Sequence, residues 1–440
     1  MNKISKLIYS NYVKFAVLTT LIFSFTFSRS FLGLYLFGYR IGEYLMAFAM
    51  ILFILTVFFK FNENPLNYLK PNLRTTFVVL FLFFIFTFIN SGSQITNPYS
   101  FKTSSYIWSF SFIFIGMNSK KLKLDKLQIN ILQIIVFLVY LTSIFGYPQQ
   151  IANLVLQFSD KYELHKGSDL ALFFIISILV MNRNLSYDYE GLKYFSFNSS
   201  LFLPLLLYKS RSAFIGCLLV FTLEVYKYFK NSNFQRKQIF NILIISFAFL
   251  TLSTFLTMNR DIPEEINIDL IVESYESLSE YRLKHYQQDY PILYFENGRV
   301  LSGDGNLNWR LIMWQDSIQD NIDENKLLFG TGYKDKFNVF KVNNTGFGND
   351  RRGLDQLNEQ VHNYFVTVLL RGGIIQLLIV MFIFYNILTS SLIKDDKVSL
   401  IVFTLSVLFI SSFDSSMENS HFPLLFFYFI GNFYLTKKTS

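Results

Sequence analysis

The stretch LFLPLLLYKSRSAFIGCLLVFTLEV, residues 201–225, decides the architecture: two apolar runs meet at the polar turn Tyr208-Lys209-Ser210-Arg211-Ser212. Each run reads as part of a helix in lipid, and so short a turn makes the two antiparallel. The pattern recurs on both sides. Windows of roughly 17 to 25 mainly apolar residues predict spans near 12–30, 41–60, 74–91, 102–118, 128–147, 168–182, 194–208, 211–229, 238–257, 372–392, 397–413 and 420–436. The expected fold class is all-α: a polytopic membrane protein of about 12 transmembrane helices with one large helical loop on the outer side. It divides into a transmembrane bundle over 1–257, an outer loop with an interfacial helix over 258–371, and C-terminal spans over 372–440.

Composition agrees. Of 440 residues, 52% are hydrophobic and 19% aromatic, with 53 Phe, more apolar surface than a soluble core absorbs. The net charge of +8 does not point to nucleic acid, because the basic residues sit scattered at the ends of apolar runs and form no single face. They read as topology signals. Lys60, Lys70 and Arg74 share one set of loops with Lys120–Lys126, Arg183 and Lys193, Lys227–Lys237, Lys394–Lys397 and the Lys437–Lys438 tail. The alternate loops hold fewer, which predicts cytoplasmic termini under the positive-inside rule. Lys3, Lys6 and Lys14 then precede an uncleaved first helix. Cys217 is the single cysteine, so no intrachain disulfide or multi-cysteine metal site exists.

The same parity places 258–358 outside, with 11 Lys/Arg against 17 Asp/Glu. Ile271–Tyr286 and Trp309–Ile318 have helical apolar spacing, so a folded cap is expected in preference to a disordered insertion. His165, His285, His362 and His421 show no metal-binding spacing. Gly330-Thr331-Gly332 lacks the span of a phosphate-binding loop and reads as a turn.

The remaining candidates are outward-facing basic residues at span ends. Arg211 and Lys209 oppose the positive-inside bias, which costs energy unless an anion is bound; the alternative is two side chains reaching lipid phosphates. Arg310 opens an amphipathic segment, where it binds an anion or pairs with Asp316 or a neighbour. His362 precedes a span expected to begin at Gly372, with Arg371 capping the junction, and an imidazole at that depth can serve as a base near neutral pH. A structural histidine is the competing reading.

The order of these features resembles the O-antigen polymerase and O-antigen ligase family of bacterial membrane glycosyltransferases. A Ser-Arg-Ser-Ala turn at 210–213 opens a span; a large loop follows with Arg310-x-x-x-Trp314 and Leu328-Phe329-Gly330-Thr331-Gly332-Tyr333; then come His362-Asn363 and a span led by Gly372-Gly373. The motifs cover roughly residues 200 to 390, and the rest matches by topology only. The resemblance implies glycan transfer from an undecaprenyl-diphosphate donor to a glycan or lipid A core acceptor, on the periplasmic side of the bacterial inner membrane, with no metal, cofactor or nucleotide sugar. It further implies Arg211, Arg310, Arg371 and Lys209 as substrate-binding residues, His362 as the catalytic base, and polysaccharide-assembly proteins as partners. A secondary transporter would also have about 12 spans, but no convincing internal repeat appears and the midplane regions are almost free of charges, with Arg29 and Glu43 as near-end exceptions. A non-catalytic assembly component would not need His362.

Overall fold

The computed structural model describes residues 11–58, 71–94, 97–118, 124–159, 165–231, 234–259, 268–283, 290–340, 359–389 and 396–434. Lys60, Lys70, Lys120, Lys121, Lys123, Lys394 and the tail lysines of the charge pattern, with His285 and Lys3 and Lys6, lie outside the described residues.

The chain is mostly helical. In order come α1 (Asn11–Leu32), the hairpin β1 (Tyr35–Leu36) and β2 (Tyr39–Arg40), α2 (Ile41–Phe58), α3 (Pro71–Asn90), α4 (Pro98–Trp108) and α5 (Phe112–Asn118). Then follow α6 (Lys126–Phe145), α7 (Gln149–Phe158), α8 (Gly167–Leu185), α9 (Tyr189–Lys209), α10 (Arg211–Asn231) and α11 (Arg236–Met258). The large loop contributes α12 (Ile268–Leu283), the hairpin β3 (Tyr294–Glu296) and β4 (Arg299–Leu301), and α13 (Gly305–Asp323); α14 (Tyr364–Leu388), α15 (Lys397–Ser411) and α16 (His421–Phe429) close the chain.

Among the described residues, 7 helices are long and apolar enough to cross a membrane: α2, α3, α6, α8, α10, α11 and α14. The other windows also fall on helices: α1, α4 with α5, α9, α15 and α16. The expected span at 102–118 falls on α4 and α5, which Ser109–Ser111 join as a 3-10 turn without leaving the helical region, and the final window falls on α16 and the π-helical Ile430–Tyr434 that continues it. The protein is therefore membrane-embedded and all-α. Polarity separates the two ends of the bundle. At one end Glu224 of α10 is fully buried and accepts from Asn182 Nδ2 (2.7 Å), Tyr187 Oη (3.1 Å) and Lys227 Nζ (3.1 Å). Lys227 also reaches Asp396 at 2.6 Å, so a buried acid is matched by a partly buried cation and α10 is locked to α15.

The boundary expected at Gly372 coincides with a break inside one helical run. α14 begins at Tyr364, capped by Asn363, whose Oδ1 accepts from Val366 N at 3.0 Å. The helix then kinks at Gly373, where φ is 71°. The kink has a partner: Ile374 N donates to Leu327 O (2.9 Å), Thr331 N to Leu370 O (2.8 Å) and Gly332 N to Arg371 O (2.9 Å). Carbonyls and amides freed by the broken helix are thus satisfied by residues 327–332. Both glycine motifs are one device for close backbone contact, since a Cβ at Gly373 would run into the Leu328 carbonyl and one at Gly330 into Arg371 O. Gly373→Ala is expected to destabilise the protein by about 3 kcal/mol through strain and collision together. Thermal unfolding in nanodiscs measures it; an unchanged midpoint would show that the kink carries no constraint.

Candidate functional site

At the opposite end of the bundle from Glu224, the tight turn, the cap helix and the start of α14 come together. α9 stops at Lys209 and α10 starts at Arg211, with extended Ser210 (φ −160°) alone between them. Lys209 Nζ donates to the His165 carbonyl at 3.1 Å, which ties the turn to the chain two residues before α8. Arg211 Nη2 pairs with Asp304 Oδ2. The anion anticipated for Arg211 is thus supplied by the chain itself: Asp304 is buried, 4% exposed, and its Oδ1 caps α13 by accepting from Leu307 N at 2.9 Å. Arg211 keeps 41% of its side chain exposed, so part of its guanidinium still faces outward.

This cap delivers Arg310. Six residues beyond Asp304 on α13, it stands among Asp414, Asp304 and Arg211, and burial lowers its proton affinity while the two acids oppose that drop. A guanidinium stays charged under such a shift. The expected alternative pairing with Asp316 is not formed, because Asp316 is held by Arg299 at 2.9 Å. Arg310 Nε meets no hydrogen-bond partner among the described residues.

His362 lies beside it. Its backbone adopts φ 53°, which bends the chain ahead of the Asn363 cap, and its ring meets Trp309 edge-on at 5.5 Å. Trp314 Nε1 donates to the neighbouring Val361 carbonyl at 2.5 Å. Two tryptophans of α13 thus fix the histidine from one side, and these are the residues around the Arg-x-x-x-Trp motif. Burial draws the His362 imidazole from 6.5 down to about 4, with Asp414 opposing and Arg310 reinforcing the shift. The ring is neutral at pH 7 and able to accept a proton.

Arg371 is not in this cluster. It is 2% exposed, with Nη1 donating to Gly332 O (3.0 Å) and Asp335 O (2.6 Å), Nη2 to Tyr99 Oη (3.1 Å), and its face on Phe337 at 4.1 Å. That guanidinium is committed to the loop that braces the kink.

Three contributors had little sequence signal. Asp414 lies in a serine-rich turn after α15 and faces both Arg310 and His362. Asp304 is an ordinary helix cap until Arg211 meets it. Arg29 follows Ser28, a kink in α1 at φ 47°. Ser28 Oγ donates to Asp169 Oδ2 at 2.7 Å, and His421 Nε2 lies 2.9 Å from Asp169 Oδ1. The charge of Arg29 is felt at His362 and at Glu418. Glu418 accepts from Thr367 Oγ1 at 2.8 Å, and burial pushes its carboxyl from 4.5 up to about 7.

The cluster therefore offers cations at the mouth of an apolar bundle, a neutral imidazole and a carboxylate beside it. It can hold a concentrated anion and take a proton from a neighbouring hydroxyl. No family model matches the chain, and no curated protein matches it.

Proposed function

We propose that this protein is a membrane glycosyltransferase of surface-polysaccharide assembly, a polymerase or ligase that moves a glycan from an undecaprenyl-diphosphate carrier to an acceptor hydroxyl. The observation that carries this reading is the meeting of Arg310, Arg211, His362 and Asp414 at one end of the apolar helices. An anionic head group on an apolar tail suits such a place. The bilayer is the bacterial inner membrane, crossed by about 12 spans, with cytoplasmic termini and the cluster in the periplasm; the lysine-rich alternate loops support this orientation.

Arg310 and the outward part of Arg211 fork onto the diphosphate oxygens and stabilise the charge that builds as the leaving group departs. Lys209 adds positive potential at the turn. The acceptor oxygen attacks the anomeric carbon, the carbon–oxygen bond to phosphate breaks with its electron pair leaving on the diphosphate, and the hydroxyl proton passes to His362. Asp414 stabilises the imidazolium that forms.

A base of this kind leaves a pH signature. Because the folded pKa is depressed to about 4 from 6.5, the imidazole stays neutral well into acid, so transfer should hold level from pH 8 down to about pH 5.5 and fall only below. The profile is best taken in Glu418→Gln, which preserves an acceptor for Thr367 and removes the carboxyl that titrates near 7. An inflection at pH 6.5 would describe an exposed histidine and contradict the arrangement.

Deletion of the gene followed by chain-length analysis of surface polysaccharide tests the function. Loss of long chains with single repeat units retained identifies a polymerase; lipid-linked glycan beside a bare core identifies a ligase. Unaltered polysaccharide would refute both.

A further inference from the structure

α9 packs against both α10 and α11, and between those two lies a cavity of about 670 Å³. It is lined mainly by apolar side chains, among them Phe221, Val225 and Phe229 of α10 with Leu243 and Phe247 of α11. Phe229 is 69% and Phe247 70% exposed, so the cavity opens sideways between helices long and apolar enough to span the membrane.

Its position relative to the cation cluster is fixed by α10. Arg211 is the first residue of that helix. Phe214, Leu218, Phe221, Val225 and Phe229 follow at spacings of three or four, which places them on the same face as Arg211. Phe214 and Leu218, above the cavity, are only partly buried. One apolar stripe therefore runs from the guanidinium into the cavity, a descent of about 15 Å at 1.5 Å per residue from Arg211 to Phe221.

We infer that this groove receives the polyprenyl chain of the donor whose diphosphate sits on Arg211 and Arg310. The inference rests on the proposed function and extends it from the head group to the lipid. A long unsaturated chain follows the stripe along α10 and enters between α10 and α11. Lipid surrounds the groove, so burial there gains no hydrophobic free energy over the bilayer; the gain is in packing and in selecting chain length. The occupant thus differs from a phospholipid tail by its anchoring: only a chain attached to the diphosphate is held at its upper end by the cations.

Two measurements on the full-length protein in phosphatidylglycerol nanodiscs test this. The first is photolabelling with an undecaprenyl diphosphate that carries a diazirine in its distal isoprene units. Label is expected on 221–229 and 243–250, competed by unlabelled undecaprenyl diphosphate and not by added phosphatidylglycerol. Label elsewhere, or competition by both lipids alike, overturns the inference.

The second fills the groove with Val225→Trp. Apparent affinity for undecaprenyl diphosphate should fall about tenfold, while that for geranyl diphosphate, too short to enter, stays unchanged. Equal losses for both lipids, or no loss for either, overturn the inference. Because both measurements read binding, absence of glycan transfer with label still in the groove would sink the catalytic reading and leave this one standing.

Discussion

His362→Asn should lower glycan transfer by about 10²–10⁴-fold while leaving the fold and donor binding intact, the loss usual for removal of a general base. Asparagine is the informative replacement because it tolerates the left-handed backbone that His362 adopts at φ 53°. An alanine there would add backbone strain to the loss of the ring. The contact with Trp309 is given up in either case, but the Trp314 bond to Val361 O, which positions the segment, survives. Asn363→Ala is the contrast: it removes the cap on Val366 N, worth about 1 kcal/mol, and should reduce stability more than turnover. Single-turnover rates at saturating donor separate the two. A folded His362→Asn protein with near-normal transfer would take the histidine out of the mechanism and leave catalysis to electrostatics and positioning.

Arg310→Ala should weaken donor binding by about 10- to 100-fold, the range for losing charge-assisted hydrogen bonds of roughly 1.5–3 kcal/mol. Arg310→Lys should recover part of it, since an ammonium keeps the charge and loses the fork. Arg211 behaves differently, because it also pairs with Asp304 at the cap of α13. Arg211→Ala leaves Asp304 buried without its cation and loosens the helix that presents Arg310, so stability and binding fall together. Arg211→Lys retains a cation for Asp304, so a binding defect in that variant reports the phosphate contact itself. Donor titration in nanodiscs, with melting points beside it, makes the distinction. Unchanged binding in Arg310→Ala would return this residue to a structural part.

Apolar periodicity revealed most of the helices, since length and hydropathy are local properties of the chain. It failed where locality fails. Residues 102–118 are helical as their apolar run predicts, but nothing in that run announces the 3-10 turn at Ser109–Ser111 between α4 and α5. Gly372-Gly373 reads as a boundary, and the helix does break at Gly373, but the pattern does not reveal that the freed backbone groups are satisfied by a segment about 40 residues earlier. Such a partner carries no periodic signal. Arg211, Arg310 and His362 stood out by chemistry and do converge, and Lys209 sits on the same turn. Arg371 stood out equally but serves the brace, a role fixed by three oxygens from distant residues. Asp304 and Asp414 were illegible for the same reason: a carboxylate at a helix cap or in a serine-rich turn gains meaning only from what lies opposite.

The most direct test of the central claim is release of undecaprenyl diphosphate by the purified protein in nanodiscs supplied with an undecaprenyl-diphosphate-linked oligosaccharide and an acceptor, either a second lipid-linked glycan or a lipid A core. Release matched one for one by growth of the acceptor, and lost in His362→Asn, is the result expected. Donor and acceptor both unchanged beside a folded protein that binds the donor would contradict it.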